Sequence, residues 1–206
     1  MGAAVPQHKP NMHLSDFLGS RIPLFSPNAA SALSAFHAFA SAVLDEGFDK
    51  CLQRWIPTAD EDLIGMLNAI ADRLTGPLEG VSKDIFSKSV KESLFIAANI
   101  EELDLDSLKD GVLRFLKRRG SSNLVQTMFS LYVFHTVWSE IQGRMPDAED
   151  GVGLEISPQK IQRICISNVA STLHQWRQQK NPALLDTDLA RRFLSQIEGS
   201  LIKTPL

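Results

Sequence analysis

The chain has 206 residues, 44% apolar and 22% charged, with a formal net charge of −3. That length supports a hydrophobic core needing no disulfide or metal staple, and the composition is that of a globular rather than a disordered chain. The slight acid excess argues against bulk polyanion binding while leaving room for a local basic face.

Cys51 and Cys165 fit no metal-ligand spacing and no redox pair. Each falls among apolar residues at helical spacing, which reads as a reduced, buried packing residue in a cytoplasmic protein. No membrane span is expected: the charge-free run 22–44 is broken by Pro23 and Pro27, and the apolar run 124–138 is short and carries Gln126, Thr127, Ser130 and His135. No early basic cluster leads into an apolar core, so no secretory signal is expected either, although residues 1–44 share the Ser/Ala-rich, acid-poor composition of a transit peptide.

Residues 1–25 contain three prolines and no sustained period, and read as an extended arm. The arm is too apolar for a free tail, with Phe17, Leu18, Leu24 and Phe25 among its residues, so it is expected to pack on its own domain or on a partner. Residues 26–206 read as a single all-helical domain, an all-α bundle of about seven helices. Ser26-Pro27 has the form of a cap followed by proline in the first turn. Leu33, Phe36, Ala40 and Val43 then share one face, and Gly47 predicts a kink or stop before Phe48, Cys51, Leu52 and Trp55. Thr58 to Glu61 has the form of a capping box, followed by a stripe of Leu63, Leu67, Ile70 and Leu74 that Gly76-Pro77 ends. Ser82 is the expected cap of the next helix, with Phe86, Val90, Leu94 and Ala97 inward. A helix starting near Asp104 carries Leu105, Leu108, Val112 and Phe115 to a Lys117-Arg118-Arg119-Gly120 terminus.

Ser121 or Ser122 opens the fifth helix, apolar nearly all round from Met128 to Trp138, the mark of a central helix. Residues 146–155 predict an acidic, glycine-containing loop. Ser157-Pro158 starts the sixth helix, and Asp186 or Thr187 the seventh, with its stripe of Ala190, Leu194, Ile197 and Leu201. No strand-length period-2 run and no internal repeat is present.

No cofactor or metal is expected. The sequence contains no nucleophile elbow, P-loop, dinucleotide fingerprint or zinc-protease motif, and its acidic clusters lack the Glu-x-x-His pairs of a di-metal bundle. His135, with Met128, Leu131 and Trp138 on the most buried helix, is a candidate for a ligand pocket, although a satisfied core histidine is the stronger reading. The same holds for His37. The sixth helix is less bland: residues 156–185 hold no acid. Ile161, Cys165, Val169, Leu173 and Trp176 take one face; Lys160, Arg163, Ser167, Ser171, His174, Arg177 and Gln178 take the other. Such a stripe of donors can meet an acidic partner or phosphates, and the Lys117–Arg119 run could join it.

The expected function is that of a non-enzymatic protein-interaction module: an adaptor, a small subunit of an assembly, or a regulator. A protein partner is expected, and a homodimer slightly more than a monomer, with Phe17, Phe25 and Trp55 as partner-binding anchors. The alternatives are a nucleic-acid-associated protein using Lys160, Arg163, His174 and Arg177, and an enzyme or ligand sensor with a pocket near His135.

Overall fold

The computed structural model describes residues 13–18, 23–56, 62–99, 104–144, 156–178 and 185–205. The capping box at 58–61 and the acidic loop at 146–155 lie outside them. Among the described residues nine helices follow one another: α1 (Leu14–Leu18), α2 (Ala29–Glu46), α3 (Phe48–Trp55), α4 (Leu63–Thr75), α5 (Gly80–Ala98), α6 (Leu105–Arg119), α7 (Ser121–Gln142), α8 (Pro158–Arg177) and α9 (Thr187–Ile202). The fold is all-α. In place of strands the described residues show one isolated bridge, His13 to Pro205. The two helices beyond the expected seven are α1, inside the apolar arm, and α3, which Gly47 separates from α2.

The apolar stripes set the packing. α7 buries twelve residues, among them Met128, Phe129, Tyr132 and Val133. It is flanked by α1, α2, α5, α6 and α8, as its all-round apolar sequence requires. The inward residues expected of α5, Phe86, Val90, Leu94 and Ala97, are all buried, as are those of α8 and α9. One contiguous hydrophobic cluster draws side chains from every helix, α1 included through Leu14 and Leu18. α1 is also held by the backbone, where the Leu14 N–H donates to the Thr204 carbonyl at 3.0 Å.

Helix starts follow the local caps with three corrections. Asp104, Ser157-Pro158 and Asp186 begin α6, α8 and α9; the Asp104 carboxylate accepts from the Ser107 N–H at 2.8 Å and Asp186 from the Leu189 N–H at 2.7 Å. α2, however, starts at Ala29 rather than at Ser26-Pro27. Its Asn28 makes no side-chain cap: its backbone is already helical, with φ of −83° and ψ of −8°, and its amide donates to the Pro77 carbonyl at 2.7 Å. α4 is capped by Asp62, whose side chain accepts from the Gly65 N–H at 2.7 Å. α5 begins at Gly80, two residues before Ser82.

Two glycines fix helix placement. Gly120 has φ of 83°, a conformation open to glycine at low cost, and this turns α6 into α7 without a connecting loop. Gly111 lies where α6 crosses the end of α5, and a Cβ there would sit 2.4 Å from the Ala98 carbonyl oxygen. The absence of a side chain at Gly111 is therefore what brings the two backbones into contact.

Candidate functional site

α8 divides its residues as its sequence predicts. Ile161, Cys165, Val169, Leu173 and Trp176 are buried, whereas Lys160, Arg163, Ser167, Ser171 and His174 are exposed. Lys160 and Arg163 have no ion-pair partner among the described residues. Between them and His174 lies Ile166, which is 43% exposed. Sequence reasoning missed it, although its place one residue off the Cys165 stripe was a readable signal. Beside it runs a groove of about 700 Å³ between α8 and α9, lined by Ser167, Ser171, Thr172, His174, Gln175 and Gln196. The Ser200 hydroxyl bonds to Asn168 Oδ1 and ties the two helices together.

Arg177 differs from the rest of the stripe. Its guanidinium donates to Gln126 Oε1 and Asn123 Oδ1 of α7, and its Nε is buried without a partner. It is a strut between α8 and α7 rather than an open donor. Asn123 in turn donates through its amide to the Arg119 carbonyl. The ends of α6 and α8, read from sequence as separate basic features, therefore meet at the first turn of α7.

A serine–histidine contact is buried in the core. His37 on α2 is 2% exposed, with its Nε2 3.3 Å from Ser121 Oγ and its Nδ1 accepting from the Leu185 N–H at 2.9 Å. The Trp176 ring meets the imidazole edge-on at 5.3 Å. A backbone N–H can only donate, so Nδ1 carries no proton, and in the neutral ring the proton sits on Nε2 facing Ser121. A general base needs a free lone pair at that nitrogen. This pair is a structural hydrogen bond, not a nucleophile with its base. Burial holds the His37 pKa down at about 4, which keeps the ring neutral.

His135 is also satisfied within the fold. Its Nε2 lies 2.7 Å from Glu92 Oε2 on α5, and Glu92 is shared with Lys88 at 3.8 Å. A cleft of about 650 Å³ that includes Thr136 is lined also by Phe25, Val81, Ser82, Ser139 and Arg144, without His135. The proposed partner anchors serve the chain's own core. Phe25 is buried with its ring 5.8 Å from Tyr132, Trp55 meets Phe39 edge-on at 5.9 Å, and Phe17 packs half-buried against the cluster. Desolvation pushes the thiols of Cys51 and Cys165 up to about 11 and about 12, far from the reactive thiolate range.

Among the described residues no group of three or more His, Cys, Asp or Glu side chains could hold a metal ion, and no helix is long and apolar enough to cross a membrane. Comparison with family models, curated proteins and solved structures finds no match to this chain.

Proposed function

We propose that the protein is a non-enzymatic helical interaction module, an adaptor, small subunit or regulator, that docks an acidic protein segment along the outer face of α8. The supporting observation is the composition of that face: Lys160 and Arg163 exposed and without an ion pair among the described residues, Ile166 exposed beside them, and a largely polar groove alongside. An apolar anchor supplies affinity, and the flanking cations fix orientation and speed encounter.

Nucleic acid is the weaker partner for this face. Affinity for a phosphate backbone grows with the number of phosphates neutralised, whereas on this face only Lys160 and Arg163 are permanent cations without an ion pair among the described residues, and Arg177 is committed to α7. A second copy of the chain is also disfavoured on this face, because a two-fold interface would set like charges against each other.

The test compares the full chain with an Arg163→Glu/Ile166→Asp double variant in quantitative affinity capture at physiological salt, with and without nuclease. The expected result is a protein partner that survives nuclease and falls at least about tenfold with the variant, at an unchanged thermal midpoint. An identical partner set for both chains, or complete loss of capture on nuclease treatment, refutes the proposal.

A further inference from the structure

A second surface, independent of the α8 reading, lies where α6 crosses the end of α5. Gly111, Arg114, Phe115 and Arg118 fall at i, i+3, i+4 and i+7, so one face of α6 presents them together. With Arg119, the last residues of α5, Ala97 and Ala98, and the Asn99 that follows them, they line a notch of about 540 Å³. That is within the range of small-ligand sites.

The three guanidinium groups are the feature to be explained. Arg114, Arg118 and Arg119 are all exposed, and none has an ion pair or side-chain hydrogen bond among the described residues. Asp110, one turn before Arg114 and beside it in a neighbouring depression with Lys117, makes no ion pair with either. Basic residues near a helix end ordinarily complement the dipole. That account asks for little charge here: the carboxyl ends of α5 and α6 each carry about half a negative charge, against three full positive charges, or four with Lys117. It also predicts guanidinium bonds to terminal carbonyls. At this end, the carbonyl of Phe95 is taken by the Asn99 N–H at 3.1 Å and that of Leu116 by the Gly120 N–H at 2.8 Å. Among the described residues, the guanidinium groups of Arg114, Arg118 and Arg119 therefore stand over a concave floor with no carboxylate in contact.

That floor is partly apolar. Ala97 and Ala98 are buried, the Phe115 ring is half-buried, and the missing side chain at Gly111 lets α5 approach closely enough to form the base. We infer that this notch binds a small organic phosphate. Arg114 and Arg118, one turn apart, grip the phosphate with Arg119 flanking. Phe115 and the α5 alanines take the organic group. Guanidinium forks match phosphate oxygens in pairs, and a half-buried ring beside an alanine floor suits a flat, weakly polar moiety rather than a bare inorganic anion.

The experiment follows backbone amide and arginine side-chain N–H signals of the full chain by NMR during titration with adenosine monophosphate, adenosine, inorganic phosphate and a single-stranded oligonucleotide. The expected result is sub-millimolar binding of adenosine monophosphate that moves Ala98, Asn99, Arg114 and Arg118. Phosphate and adenosine alone bind at least about tenfold more weakly, and Arg114→Gln/Arg118→Gln weakens the intact probe by at least about tenfold at an unchanged thermal midpoint. No shift at millimolar probe, shifts elsewhere, or binding that survives the double variant overturns the inference. An oligonucleotide that binds far more tightly, with steep salt dependence, also overturns it, in favour of a nucleic-acid surface. The α8 variant Arg163→Glu/Ile166→Asp leaves this titration unchanged, so the two proposals fail separately.

Discussion

Acidifying the solution from pH 8 to pH 4 loads a proton onto His37 in the unfolded chain well before it does so in the folded one. The unfolded imidazole titrates near its ordinary 6.5, and the buried one at about 4. Between those values the unfolded state holds more protons, so stability falls as pH falls, and the contribution is fully present only above 6.5. The spacing of the two values corresponds to about 3 kcal/mol once pH is below 4, of which about 2 kcal/mol is already lost at pH 5. The structural cause is at Nδ1. Protonation would set an N–H against the Leu185 N–H across 2.9 Å, two donors facing each other at the entrance to α9.

The assay is urea or thermal denaturation at pH 8, 6 and 5 of the natural chain and His37→Gln. Glutamine does not titrate, so it removes the pH term. Its own constant cost cancels in the slope, and the carboxylates, Asp186 beside the site included, are common to both chains. For a chain of this size, a relative loss of about 2 kcal/mol at pH 5 is about 4–8 °C in midpoint. Parallel pH curves for the two proteins would show that the imidazole gains its proton freely in the fold, and would refute the argument.

Two further substitutions probe the packing. Gly111→Ala introduces a methyl 2.4 Å from the Ala98 oxygen. The gain of about 1 kcal/mol in helix propensity is outweighed by displacement of α5 from α6, at the upper end of the usual overpacking cost of about 1–3 kcal/mol, for a net loss of about 1–2 kcal/mol; an unchanged or raised urea midpoint contradicts the close crossing. Leu14→Ala truncates a side chain that is 0% exposed and should cost about 2–4 kcal/mol, whereas an unaltered thermal midpoint would mean that α1 is not docked.

The buried faces were readable because burial imposes a 3.6-residue period that apolar side chains report directly. Phe86, Val90, Leu94 and Ala97 on α5, and Ile161 to Trp176 on α8, needed nothing else. Helix starts were readable where one capping residue abuts the stripe, as Asp104 and Asp186 do. Near Ser26 the start is tied to a tertiary contact. Asn28 is taken by a carbonyl 49 positions away, a contact that leaves no local trace. Helix α1, at five residues, is too short to display a period. The site candidates show the same limit. Arg163 and Arg177 are equivalent in a helical projection, yet Asn123 and Gln126, more than 50 positions upstream, turn one into a strut and leave the other open. Phe25 and Trp55 read as partner anchors; Phe25 is buried against Tyr132 in the chain's own core, and Trp55 is half-buried against Phe39.

Net charge illustrates a different limit. A total of −3 bears on binding to extended polyanions, which sample the whole surface. A small anion samples only what lies within a screening length, about 8 Å at physiological ionic strength. In the α5–α6 notch the lining includes the guanidinium groups of Arg114, Arg118 and Arg119 and, among the described residues, no carboxylate, while Asp110 lies in the neighbouring depression. The bond from Asn123 to the Arg119 carbonyl, together with that from Arg177 to Asn123, gathers the basic ends of α6 and α8 onto one edge. An acidic chain can thus carry a positive local field where two helix ends converge. The field depends on which helices meet, so replacing Arg114 and Arg118 with glutamine should remove most of it, leaving Arg119, while the formal net charge moves from −3 to −5.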